Sequence, residues 1–292
     1  MSCEIENAII ERLNFAIDEA NREASCEKLK THVIAVYDAL VSHREQLNNG
    51  AIRNMDYYNL ISVMIQKYSI PIVIATPHNG RHLINNGTGL FLELDQRLLI
   101  TNEHVLTACK NAPEGAAILI GEYNMSVEDF VQATLESRSN TNLDLAVIKI
   151  PETLIESWVI HQNKLFYKPE SWPPQLPQNR NMVFLAGYPG VLREDKGNEI
   201  GTFFASIQDE IMDVGVTSSI MNFNKMEWIK RLGVRNIEEL TRLGGFSGGP
   251  MFLFLDGKLI LLGIIRQGDG DFFDMQFVHA RFIQNNGEIC DI

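Results

Sequence analysis

After Ser69 the chain consists of short apolar runs, rich in Val, Ile, Leu and Phe, set between Gly, Asn and Asp turns. Such runs are short for buried helices, and β-branched and aromatic side chains fit a pleated, half-buried surface. Ten segments read as strands: 71–76, 88–94, 97–101, 116–121, 143–150, 182–187, 202–213, 216–222, 251–255 and 258–265. That many short strands at irregular spacing predicts two small β-barrels. Asp256-Gly257, between the last two runs, reads as a tight hairpin turn. Residues 151–180 contain Pro and Trp and read as the connection between the barrels, while 223–242, with Trp228-Ile229-Lys230-Arg231-Leu232, reads as a helical insertion. No internal repeat or low-complexity tract interrupts the pattern.

Before Ser69 the apolar period changes. Ile5, Ile9, Leu13 and Ile17 fall at helical steps, as do Leu29, Val33, Tyr37 and Leu40 in a second run. Asn48-Asn49-Gly50 stops that run, and Tyr57, Leu60, Ile61, Met64 and Ile65 outline a third helix. The predicted organisation is a helical segment over 1–68 and a β body over 69–292, in a chain whose length of 292 residues suits one large or two smaller domains. The helices serve either as a regulatory, partner-binding appendage or as a buttress for the barrels.

Charge and composition narrow the function classes. Against 37 Asp and Glu stand 25 Lys and Arg, a formal net charge of −12, with Lys230-Arg231 as the longest basic cluster. Nucleic-acid binding needs clustered cations that release phosphate counterions, so no nucleic acid is expected as a partner. No charged leader precedes an apolar stretch at the start, and no apolar run approaches the length of a bilayer span, so neither secretion nor a membrane is expected. Cys3, Cys26, Cys109 and Cys290 lie far apart and without metal-ligand spacing, which reads as free thiols in a reducing, cytoplasmic compartment.

Three segments carry residues suited to chemistry. Gly244-Gly245-Phe246-Ser247-Gly248-Gly249-Pro250 surrounds a serine with residues that let backbone N–H groups point at a substrate carbonyl. A serine hydroxyl is a weak nucleophile unless a base takes its proton and donors stabilise the resulting oxyanion. On its own the segment is also what a Gly-rich turn looks like. His104 follows directly on an apolar strand in Thr101-Asn102-Glu103-His104-Val105, a position suited to work at a strand end. His32, His43, His161 and His279 read as surface or satisfied core residues, and His78 and His82 flank a loop that does not make a metal pair. Asp144 opens the run Asp144-Leu145-Ala146-Val147-Ile148-Lys149, and a buried carboxylate there needs a partner such as a histidine N–H.

Together these segments resemble the trypsin-like serine peptidases. The order His, Asp, Ser, with separations of 40 and 103 residues, is the one found in the chymotrypsin fold and not in other triad folds. Gly87-Thr88-Gly89-Leu90-Phe91, Thr101 to Val105, Asp144 to Lys149 and Gly245 to Pro250 are most similar to the bacterial HtrA/Deg-type protease domain, here without a PDZ-like domain after it. The resemblance implies a mainly β, chymotrypsin-like double β-barrel, with the helical segment at its N-terminal side. It implies His104 as general base, Asp144 as its orienter, Ser247 as nucleophile, and the N–H groups of Gly245 and Ser247 as the oxyanion hole. It places Arg266 and Gly268 on the strand that pairs with substrate and Thr241 at the floor of the specificity pocket, a neutral floor that suits a small or apolar P1 residue. The substrate would be a protein or peptide, with no metal or cofactor required. Phe246 stands where zymogen-type relatives carry an Asp, so activation by a freshly cut N-terminus is not expected. The alternative is a catalytically silent trypsin-like scaffold that only binds.

Overall fold

The computed structural model describes residues 54–78, 81–195, 200–221, 244–266 and 275–290. The first two predicted helices, the predicted insertion over 223–242, Thr241 and Gly268 lie outside the described residues. The chain divides by packing between Ile61 and Ser62. The third predicted helix is α1 (Asn54–Tyr68).

Seven strands build the first sheet: β1 (Ser69–His78), β2 (Arg81–Glu93), β3 (Arg97–Thr101), β4 (Ala117–Ile120), β5 (Tyr123–Ser126), β6 (Ser137–Asn140) and β7 (Leu145–Lys149). Their spatial order is β5-β4-β1-β2-β3-β7-β6. Alternate residues point one way along a strand, and Ile70, Ile72 and Ile74 of β1 meet Phe91, Leu99 and Ile148 in one core. Two helices close that core, α2 (Glu103–Lys110) through Leu106 and Cys109, and α3 (Val127–Ala133) through Phe130. α3 starts on Ser126, whose hydroxyl accepts the N–H of Asp129 as an N-cap.

The second sheet is a closed barrel. Its strands are β8 (Met182–Gly187), β11 (Ala205–Val214), β12 (Ser218–Met221), β13 (Pro250–Leu255), β14 (Lys258–Arg266) and β15 (Met275–His279), in the order β11-β12-β15-β14-β13-β8. A separate two-stranded ribbon joins β9 (Glu194–Asp195) to β10 (Ile200–Gly201). Val183, Leu185, Met251, Ile265 and Phe277 fill the barrel. The predicted β13–β14 hairpin turns on Asp256 and Gly257, both at positive φ (49° and 79°), as the twist-matched two-residue hairpin requires.

The mainly β fold class holds, with one difference in the first half. Among the described residues its sheet runs from β5 to β6 without a pairing that joins the two, whereas the second sheet closes. Between the sheets, the connection begins as α4 (Glu152–Ile155) and a following π turn (Glu156–Ile160) that buries Trp158. Further on, Tyr167 joins both halves: its N–H donates to Phe91 O, its carbonyl accepts the N–H of Glu93, and its ring meets Phe252 at 5.0 Å.

Candidate active site

His104 is the second residue of α2, directly after the end of β3. The first N–H groups of a helix lack internal partners, and the N-cap Asn102 leaves them uncapped by its side chain. Asp144 supplies the acceptor from just before the start of the neighbouring strand β7, its Oδ1 lying 3.1 Å from the His104 backbone nitrogen. The same carboxylate meets the ring Nδ1 of His104 at 2.8 and 2.9 Å. One acid therefore caps the helix start and fixes the imidazole.

Asp144 reaches that position through an unusual backbone. Its φ is +51°, in the left-handed region where Asp is among the better tolerated residues. The Asn102 amide, on a fully buried residue, donates to the Asp144 carbonyl at 2.7 Å. The Asp144 N–H returns to Thr141 O at 3.2 Å. A carboxylate only accepts, so Nδ1 of His104 carries the proton and Nε2 is left with a free lone pair. The His104 side chain is 42% exposed, against 16% for Asp144, so the basic nitrogen lies on an accessible ring steadied by a shielded acid.

Ser247 lies in the turn between the end of the undescribed stretch and β13. Its carbonyl accepts the N–H of Thr88 at 2.8 Å, tying the turn to β2. A Cβ on Gly87 would stand 2.7 and 2.8 Å from the methyls of Val105 and 3.3 Å from Ser247 O. Gly248, at φ +86°, sits against Thr88 O and Thr101. Gly248 thus meets Thr101 at the end of β3, and Gly87 lies between Val105 and the Ser247 carbonyl. The Ser247 hydroxyl makes no hydrogen bond among the described residues, and Ser247 is 5% exposed.

Around the serine the N–H groups divide into two kinds. Those of Gly248 and Gly249 donate to Ile265 O at 2.9 Å and Phe246 O at 2.8 Å. Those of Gly245 and Ser247 donate to no acceptor among the described residues. Phe246, between them, is 1% exposed and anchors the turn in the barrel core beside Met251, Ile265 and Phe277. Of the predicted substrate-binding residues, Arg266 ends β14 opposite Gln276, next to Ile265, whose N–H donates to Gly249 O at 2.8 Å.

The remaining polar groups have other roles. His279 is buried and its Nε2 meets Ser219 Oγ at 2.8 Å. His161 pairs with Glu156 at 3.2 Å. Cys109 and Cys290 are free thiols, and burial pushes the Cys109 thiol up to about 12. Among the described residues no group of three His, Cys, Asp or Glu side chains converges on a point, as a metal site would need. The sequence did not single out Asn102, although a fully buried Asn at a strand end signals a polar group with a fixed partner.

A closed β-barrel with a companion sheet, carrying a His–Asp pair and a glycine-flanked serine, is the arrangement of a trypsin-like peptidase domain. The family model described as trypsin-like peptidase domain matches residues 87–264. The chain belongs to that family. No curated protein sequence matches it. Among solved structures it is similar to the Rv3671c protease from M. tuberculosis in its active form, at 15% identity and TM-score 0.38, over 75% of this chain and 78% of that one. It is also similar to the tobacco vein mottling virus protease, at 14% identity and TM-score 0.40 over 75% and 79% of the two chains. A third is the catalytically active tobacco etch virus protease complexed with product, at 10% identity and TM-score 0.38 over 72% of each chain. Family membership rests on the sequence-model match.

Proposed function

We propose that the protein is a serine endopeptidase that cleaves peptide bonds through an acyl-enzyme, with Ser247 as nucleophile. The observation that carries this is the pair of short contacts between His104 Nδ1 and the Asp144 carboxylate, because they leave Nε2 as the only basic ring nitrogen. On this reading Nε2 takes the Ser247 hydroxyl proton as Oγ attacks the substrate carbonyl carbon. The carbonyl oxygen becomes an oxyanion, met by the N–H groups of Gly245 and Ser247. When the C–N bond breaks, the imidazolium returns its proton to the leaving amine. Water then repeats the sequence and releases the acid, restoring the Ser247 hydroxyl. Asp144 keeps its charge throughout and stabilises the imidazolium.

The substrate is a protein or peptide, as the family implies. Thr241, Arg266 and Gly268 are proposed to line its binding groove, and the segment 1–68 to carry control of activity through a partner. Phe246 supports control of that kind over N-terminal cleavage, since the position of a zymogen-type acid is occupied by a buried ring. A peptide-library digest of the wild type beside Ser247→Ala tests the reading: cleavage confined to the wild type is the predicted result, and intact peptides with both would favour a binding scaffold.

A further inference from the structure

We infer that Thr88 is a positioning residue that presets the oxyanion hole, through its side chain as well as its backbone; this rests on the assignment of Ser247 as nucleophile and of Gly245 and Ser247 as the N–H donors. In a planar trans peptide the C=O and the following N–H point in opposite directions, so holding a carbonyl aims the next N–H. Every carbonyl from Gly244 to Ser247 is held. Gly244 O accepts Gly190 N at 2.7 Å, which turns the Gly245 N–H away from Gly190. Phe246 O accepts Gly249 N at 2.8 Å, which does the same for the Ser247 N–H.

The carbonyls of Gly245 and Ser247 both go to Thr88; these bonds fix the peptides that follow the two donor residues, so that each donor residue is held on both sides. The Thr88 hydroxyl donates to Gly245 O at 2.5 Å, and its N–H donates to Ser247 O at 2.8 Å. The direction of the hydroxyl bond follows from its other partner. Tyr188 N–H, 3.0 Å away, is a donor and occupies a lone pair of the Thr88 oxygen, so the single hydroxyl proton goes to Gly245 O. Thr88 is fully buried, so its hydroxyl is shielded from bulk solvent.

Gly245 is the residue that most needs such a hold. At φ +115° it has no Cβ to restrict rotation. Without the hydroxyl, Gly245 O would be left buried and short of a donor, and the peptides on either side would turn to find one. The enclosure is tight as well, since a Cβ on Gly187 would stand 2.7 Å from the Thr88 hydroxyl. Pinning these groups before substrate arrives removes reorganisation from the reaction step, which is where preorganised donors act.

The test is saturation labelling with a fluorophosphonate probe, whose phosphoryl oxygen enters the same donor pair, on the full chain carrying Thr88→Ser, Thr88→Val or Thr88→Ala. A displaced donor pair lowers kinact on the order of tenfold to hundredfold in the Val and Ala variants, with KI within about twofold, because probe binding and oxyanion stabilisation separate. Ser keeps the hydroxyl and restores kinact to within about threefold of the wild type. Since kinact is a rate constant of the folded molecules, it is independent of how many are folded. Wild-type kinact in the Val or Ala variant, or a Ser variant as slow as they are, overturns the role of the hydroxyl. A wild type that never labels sinks the nucleophile assignment and this inference together, whereas a labelled wild type matched by its variants sinks this inference alone.

Discussion

His104 and Asp144 are joined twice, once through the helix backbone and once through the ring. The carboxylate accepts His104 N–H at 3.1 Å and Nδ1 at 2.8 Å. The backbone bond sets where the carboxylate stands, and the ring bond sets which nitrogen is basic. An acid fixed in this way keeps its place whether or not the imidazole is charged.

Asp144→Asn separates position from chemistry. Asn tolerates the left-handed backbone at φ +51°, so the fold should survive with little change in Tm. Its amide N–H₂ facing Nδ1 favours the opposite tautomer, and kcat should fall by about 10⁴, the scale of that change in serine-protease triads. Steady-state kinetics on a cleaved peptide, beside a thermal melt, checks both halves.

Two glycines of one motif should behave differently. An alanine Cβ at Gly248 overlaps Thr88 O and stands 3.1 Å from Thr101 Cα, at a positive φ of 86°. Backbone strain and overpacking each cost about 1–3 kcal/mol, so Gly248→Ala should lose several kcal/mol in urea unfolding. A Cβ at Gly244 meets nothing within 4 Å among the described residues, and Gly244→Ala should change stability by no more than about 0.5 kcal/mol.

Phe246→Asp asks whether a zymogen-type acid is tolerated. The ring is 1% exposed in the barrel core. Removing a buried Phe side chain costs about 3–5 kcal/mol, and an unpaired charge adds to that. The predicted outcome is a chain without a cooperative urea transition; a folded, partner-dependent enzyme would contradict the core role of Phe246.

His279 makes stability depend on pH. Burial, with Arg281 as the second cause, holds its imidazole down to about 4 from the ordinary 6.5. Between these values the unfolded chain binds a proton that the folded chain does not, so stability falls as pH falls through that window and the loss is complete below it. Tm measured from pH 7.5 to 4.5 should decline less steeply in His279→Gln than in the wild type.

The strands that carry chemistry were legible because their apolar runs are bounded by turn residues and end on polar ones, as at Thr101 and Asp144. The residues missed have physical reasons. β6 reads Ser-Arg-Ser-Asn and, among the described residues, pairs with β7 alone, so such an edge strand shows no apolar pattern. The helix carrying His104 begins without a side-chain N-cap, because its acceptor, Asp144, lies 40 residues away. Thr88 was visible only as a letter between two glycines. Its two-sided clamp on the serine turn spans more than 150 residues of sequence, and a single sequence has no local signal for such a contact.

The central claim is that one hydroxyl, that of Ser247, is activated by the His104–Asp144 pair. Mass-spectrometric mapping of fluorophosphonate adducts on the intact chain tests it most directly. The account predicts a single adduct on Ser247, abolished by His104→Ala; an adduct at another residue, or none on a folded wild type, would contradict it.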